Sequence, residues 1–178
     1  MHFKEKLSVL GLGGGCHWCT EAFFQALVGI ERVEQGFVAS NSPHDSFSEA
    51  VLVHYNAQRI PEEVLLDIHL HTHQAEADHA FREKYRSAIY VPEGEDLAPY
   101  QRILSRLQQQ FEQSLVTQVL PLVSFESSEL RFQNYYRSNP ERPFCQRYIE
   151  PKLQFIARSY ARHFDRSKLS RLPEGRKA

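Results

Sequence analysis

The chain has 178 residues, 42% of them apolar and 24% charged, and a net charge of −1, a balance that suits a globular protein able to bury a substantial core. It excludes the basic field of a nucleic-acid-binding domain, no apolar run approaches the roughly 20 residues of a membrane span, and Met1–Lys6 lacks the apolar segment of a secretory signal. Three cysteines, an odd number, argue against a disulfide framework and set the expectation of a reducing, cytoplasmic compartment.

In chain order, Leu7–Leu12 reads as a short buried strand closed by Gly13, Gly14 and Gly15, a turn in which φ > 0 costs nothing. The helical pattern that follows, Glu21–Leu27, turns Phe23, Phe24, Leu27 and Trp18 toward a core, and Gly29 ends it. Glu31–Ala39 is a strand, Ser40–Ser46 a loop by its turn residues, and Glu49–Tyr55 an alternating strand with Glu49 at its entrance. Pro61 opens a helix to about His71 with Val64, Leu65 and Ile68 inward. Tyr85–Val91 is a strand closed by Pro92, and Asp96–Ser114 a long amphipathic helix with the stripe Leu97, Ile103, Leu104, Leu107 and Phe111. Val116–Phe125 reads as one strand, in which Pro121 indicates an edge or a bulge. Ser127–Tyr136 reads as a helix behind a capping serine, and Tyr148–Phe164 as the last helix. The tail carries Arg166, Lys168, Arg171, Arg176 and Lys177, too sparse a basic patch to be more than a solvated end. Helices and strands alternate without repeat or linker, so a single mixed domain over residues 1–178 is expected, its C-terminal helix and basic tail starting near 146.

Cys16 stands where the glycine turn meets a helix. Unpaired backbone N–H groups and the positive end of the helix dipole there would lower a thiol pKa from its usual value of about 8.5, making Cys16 a candidate nucleophile. Cys16 and Cys19 form a C-x-x-C pair, a redox spacing, whereas Cys145 has no partner pair and structural zinc is not supported. Among His69, His71, His73 and His79, only His69 and His73 share a helix face, which leaves partly exposed helix-end histidines rather than a metal cluster. Glu49 at the entrance of an apolar strand would sit in surroundings that raise a carboxyl pKa, the condition for donating a proton near neutrality.

Four blocks then resemble one family in order. Gly14-Gly15-Cys16-His17-Trp18-Cys19-Thr20-Glu21, Ser48-Glu49-Ala50-Val51, Tyr85-Arg86-Ser87-Ala88-Ile89-Tyr90, and Phe132-Gln133-Asn134-Tyr135-Tyr136 with Asn139-Pro140 and Cys145 resemble the motifs of the A-type peptide methionine sulfoxide reductases (the MsrA family). The likeness runs from Leu7 to about Leu153. It implies an α+β fold, a ferredoxin-like two-layer sandwich whose mixed sheet is covered by helices. It also implies thiol-dependent reduction of methionine-S-sulfoxide, free or in proteins, as a protein-repair reaction under oxidative stress. By position, Cys16 resembles the nucleophile, Glu49 the acid that protonates the sulfoxide oxygen, Tyr85 a hydroxyl that holds that oxygen, and Trp18 a wall of the methyl pocket. Cys145 matches the resolving position, and Cys19 resolves in some members. No bound cofactor and no metal are implied. The reductant is an external thiol such as thioredoxin or dithiothreitol, and the partners are oxidised proteins or free methionine sulfoxide, with no nucleic acid, no membrane and a monomeric state expected.

The departures are as informative. His17 replaces a phenylalanine of the signature, so a titratable wall is expected in the substrate pocket, with affinity varying between about pH 5.5 and 7.5 if its ring faces the methyl group. The loop Gly36–Ser48 is short and lacks the family tyrosine, leaving Phe37, His44 and Phe47 nearby. Asp78 matches a substrate-binding aspartate only with a shift in spacing, and Phe132 replaces a histidine. Two other readings stay open: a general dithiol oxidoreductase using Cys16 and Cys19, and a non-catalytic relative that binds sulfoxides or senses redox state.

Overall fold

The computed structural model describes residues 6–170. Residues 1–5 and the tail positions Arg171, Arg176 and Lys177 lie outside the described residues, and with them most of the reading of the basic tail and of the N-terminal segment.

The apolar run at the start forms β1 (Ser8–Gly13), which lies between β3 (Ser48–Tyr55) and β4 (Ala88–Pro92) and pairs antiparallel with both. A strand hydrogen-bonded on both sides and covered on both faces needs an almost continuous apolar sequence, and Ser8–Gly13 supplies it. The sheet has six strands in the order β5-β4-β1-β3-β2-β6, with β2 at Ile30–Ala39, β5 at Gln118–Leu122 and β6 at Ser124–Ser127. One pair is parallel, β4 with β5, and the sheet is therefore mixed. Together with its helices this is the α+β architecture expected.

The segment read as one strand, Val116–Phe125, is two. Its halves occupy opposite edges of the sheet, β5 beside β4 and β6 beside β2, with only Val123 between them. The sheet has curled until its edges meet: Val123 N–H donates to the Ala39 carbonyl at 3.2 Å, and the Ser40 hydroxyl to the Pro121 carbonyl at 2.6 Å. Pro121 sits on the edge strand β5, where its missing N–H leaves no ladder bond unmade. Inside the curl a small cluster of Val38, Ala50, Leu52, Ala88 and Tyr90 is buried. At Gly36 a Cβ would come within 2.2 Å of the Glu126 carbonyl, so only glycine allows β6 to close on β2.

The larger core lies on the other face, where α1 (His17–Gln25), α2 (Glu62–Thr72), α3 (Ala98–Leu107) and α5 (Glu150–Ser159) bury Phe24, Leu27, Leu65, Ile68 and Ile156 completely. No described helix is long and apolar enough to cross a membrane. Several boundaries differ from the periodicity for local reasons. β4 begins at Ala88 instead of Tyr85 because the Arg86 N–H is taken by the Ser48 hydroxyl at 2.7 Å. α3 stops at Leu107, ahead of a 3-10 turn, because the Gln108 side chain bonds the Gln113 carbonyl and the Leu115 N–H and closes a loop instead. The last helix starts earlier, with a π turn at Cys145–Ile149, and ends at Ser159.

The helix expected over Ser127–Tyr136 is also absent. A 3-10 turn at Leu130–Phe132 is followed by the short α4 (Tyr135–Ser138), and between them Asn134 takes a left-handed conformation, φ 54°. Glu21, on the buried face of α1 and only 2% exposed, holds that turn. Its carboxylate accepts from Asn134 N–H at 3.0 Å, Tyr135 N–H at 3.1 Å and Gln35 Nε2 at 3.1 Å.

Burial outweighs those three hydrogen bonds and raises the Glu21 pKa to about 7. A carboxyl whose folded pKa lies above its unfolded value of 4.5 stabilises the fold while protonated, and that contribution is lost as pH rises from 4.5 through 7. Urea unfolding across this window is expected to show stability falling by about 3 kcal/mol on account of this group, and Glu21→Gln is expected to flatten that slope. An unchanged slope in the variant would remove Glu21 as its cause.

Candidate active site

The register of the three central strands assembles the site. Gly13, the last residue of β1, is opposite Ala50 of β3 and Ala88 of β4, so Glu49 and Ser87 lie beside the turn that leads to Cys16. Of the three glycines only Gly14 has φ > 0, at 148°. A Cβ there would meet the His73 ring at 2.5 Å, so this glycine both makes the turn and admits His73 against it. Cys16 is the N-cap of α1, which starts four residues earlier than the apolar pattern indicated, and its carbonyl accepts from Cys19 and Thr20 N–H.

The Cys16 thiol pKa is lowered. The largest cause is a hydrogen bond from the Cys19 thiol, joined by the N–H groups of Trp18 and Cys19 in the first turn of α1, against the opposing effects of burial and of the Glu49 charge. Cys19 is raised by the same bond, since it must stay protonated to donate, and by its burial. Cys145, fully buried at the start of the π turn, is raised by burial. Cys145 faces Cys19 closely enough to be felt electrostatically. All three cysteines are free thiols. Cys16 is therefore the thiol poised to ionise, with Cys19 next to it and Cys145 beyond.

Glu49 is 7% exposed under the first turn of α1. His17 N–H donates to its Oε1 at 3.3 Å, and Lys84 Nζ stands 3.7 Å from Oε2. The His17 ring does not line the cavity beside Cys16. Its Nδ1 donates to the Gly36 carbonyl at 2.7 Å, its Nε2 faces Glu49 Oε1 at 3.3 Å, and its edge meets Phe37.

A cavity of about 610 Å³ opens beside Cys16, walled by Tyr85, Phe81, Phe144, Tyr148 and His73, with Lys152 at its lining. Trp18 is absent from these walls. It stacks on Tyr135 at 4.2 Å between ring centroids, with Phe132 and Phe144 completing an aromatic group. Asp78 lies away from Cys16 in a separate polar depression with Arg82 and Arg86. Of the histidines, His69 and His73 do share a face, their rings 4.4 Å apart; His73 is the partly exposed C-cap of α2, as expected, whereas His69 is buried, with its pKa lowered to about 4 by desolvation. His73 Nδ1 donates to the His69 carbonyl, which leaves Nε2 to accept from the Ser87 hydroxyl at 2.8 Å. No group of three potential ligands is gathered for a metal among the described residues. Sequence reasoning assigned no role to Lys84, Glu21 or Tyr135. The available signal was an acid at Glu21 inside the buried run Ala22-Phe23-Phe24.

A family model described as peptide methionine sulfoxide reductase matches residues 8–164. The peptide methionine sulfoxide reductase MsrA of Trichodesmium erythraeum is 29% identical over 170 residues, covering 86% of this chain and 96% of that protein. Among solved structures, reduced Mxr1 of Saccharomyces cerevisiae superposes with a TM-score of 0.68 at 22% identity, covering 82% of this chain and 92% of that one. Mxr1 in complex with Trx2 gives 0.58 at 21% identity, covering 72% of this chain and 86% of that one. At these identities the structural likeness concerns the fold.

The electrostatics of Cys16 make a direct test. When alkylation of the Cys16 peptide by iodoacetamide is followed against pH by mass spectrometry, Cys19→Ala is expected to move the midpoint to higher pH and Glu49→Gln to lower pH. Superimposable profiles would show that neither group faces the thiol.

Proposed function

We infer what this chain does from the family to which it belongs, the peptide methionine sulfoxide reductases. It is a thiol-dependent oxidoreductase that reduces methionine-S-sulfoxide to methionine. The observation that carries a residue-level reading is Cys16 itself: an ionisable thiol at a helix N-terminus, within electrostatic reach of a nearly buried carboxyl group.

In this reading the Cys16 thiolate attacks the sulfoxide sulfur while Glu49 delivers a proton to the oxygen. The substrate S–O bond breaks, an S–O bond forms on Cys16, and methionine leaves. The substrate sulfur gains two electrons and Cys16 loses two, becoming a sulfenic acid that carries the delivered proton. Burial of Glu49 and its placement beside the thiol support its role as the donor. Tyr85, in the cavity wall, is a hydroxyl available to the oxygen. Trp18, stacked on Tyr135 and absent from that wall, has no contact in favour of holding the substrate methyl. Asp78 has no contact in favour of a substrate role.

We assign the resolving step to Cys19. Its thiol already donates to Cys16, so condensation with the sulfenic acid to a disulfide and water needs little motion, whereas Cys145 is fully buried. A thioredoxin-like dithiol would then reduce the disulfide; Mxr1, which shares the fold, has been captured with Trx2. We propose that the chain works without a bound cofactor, as a monomer in the cytoplasm, a compartment that keeps three thiols reduced.

With dithiothreitol, the purified protein is expected to consume methionine-S-sulfoxide, Cys16→Ser to lose turnover, and Glu49→Gln to lose about 10²-fold or more. After one equivalent of substrate, peptide mapping should find a Cys16–Cys19 disulfide. A Cys16–Cys145 disulfide would transfer the resolving role. Insulin reduction without sulfoxide turnover would favour a general dithiol oxidoreductase, and sulfoxide binding without turnover a non-catalytic relative.

A further inference from the structure

His17 stands where the family signature has phenylalanine, and its contacts explain what a histidine does there. It is 6% exposed and locked from two sides. A carbonyl can only accept, so the 2.7 Å contact with the Gly36 carbonyl fixes the hydrogen on Nδ1. Nε2 then faces Glu49 Oε1 at 3.3 Å. Without a proton between them, two lone pairs would oppose each other in a buried place. With one proton the contact is favourable in either form, imidazole with carboxylic acid or imidazolium with carboxylate.

We propose that His17 and Glu49 hold one proton in common and that His17 is a positioning residue, keeping on this pair the proton that the sulfoxide oxygen receives. The proposal rests on Glu49 being the proton donor. The groups that face the pair are few. Lys84, from the segment ahead of β4, approaches Glu49 Oε2 at 3.7 Å. Cys16 faces Glu49 from the turn before α1, and their negative charges oppose each other. From β2, His17 meets the Gly36 carbonyl and the Phe37 ring at 5.1 Å, neither of them titratable. Lys84 and Cys16 thus both face the carboxyl group, and His17 Nε2 is the acceptor that its Oε1 meets. Burial lowers the His17 pKa and the Glu49 charge opposes that, as expected for a ring whose protonation depends on its carboxylate neighbour.

The balance of the step is simple. The pair starts with one proton and Cys16 as thiolate. The proton goes to the sulfoxide oxygen and ends on the sulfenic acid, methionine leaves, and the pair is left as imidazole and carboxylate. The next turnover takes its proton from solvent.

The test is the pH dependence of methionine formation in a single turnover, together with ¹⁵N NMR of the His17 ring. In the wild type the alkaline fall in rate should coincide with the His17 titration. His17→Asn keeps a donor for the Gly36 carbonyl but lacks Nε2, and its alkaline limb should move to lower pH. The rate at pH 8 should then fall about tenfold, the effect of a one-unit shift, while the loss should shrink steadily toward lower pH. In Glu49→Gln the His17 titration should move down by about one unit. This second measurement does not depend on whether His17→Asn folds well. An alkaline limb unmoved in His17→Asn, or a His17 titration identical in the wild type and Glu49→Gln, overturns the proposal. If Glu49→Gln keeps full turnover, it is the assignment of Glu49 as donor that fails.

Discussion

The site depends on where β1 ends. β1 is bonded to β3 and β4 at once, so its last residue sets the position of everything that follows. The chain leaves Gly13, turns at Gly14 and enters α1 with Cys16 at the N-cap. The same pairing brings the first residues of β3 and the residues ahead of β4 to that end. One register thus brings a thiol, a carboxyl group and a lysine from three parts of the chain within electrostatic reach of one another. A one-residue slip of β3 would turn Glu49 to the opposite face.

The chemistry is governed by competition for few protons. In the proposed reaction Cys16 must be ionised and Glu49 protonated, and the Glu49 charge disfavours the Cys16 thiolate. That mutual repulsion suits a state with one thiolate and one acid, since like charges at close quarters do not both ionise readily. Cys19 settles the thiolate side by donating a hydrogen bond to Cys16 while keeping its own proton. On the other side, His17 and Lys84 both face the Glu49 carboxyl group. The helix N-terminus contributes through its N–H groups, a shorter-range effect than the name macrodipole suggests.

The aromatic side of the site depends on a different buried acid. Glu21 binds the backbone of Asn134 and Tyr135, which fixes the left-handed turn and sets Tyr135 flat against Trp18. Arg142 lies over the other participant of that stack, 4.2 Å from the Tyr135 ring. A carboxyl group with no place in the chemistry therefore decides whether Trp18 has a rigid partner.

Much of this was legible in the chain before any coordinates. The apolar run before three glycines, the cysteine that follows them, and the alternating strand behind Glu49 are local patterns, and local patterns survive into structure when nothing else competes for the backbone. Pro121 announced an edge because proline lacks a ladder donor. What the sequence did not disclose came from contacts distant in the chain. Val116–Phe125 is uniformly strand-like, and only the closing of the curled sheet splits it between two edges. Asn134 breaks a helical stretch because Glu21, 113 residues away, takes its N–H. His17 showed itself as a departure from phenylalanine, but its neighbours did not follow from its place in the signature. Composition and pattern determined the central strands, the place of Cys16 at a helix start and the family; the tertiary structure alone decided which acid, base and aromatic group face one another, because pairing across 19 residues to Gly36 and 32 to Glu49 is set by sheet register and not by neighbours in the chain.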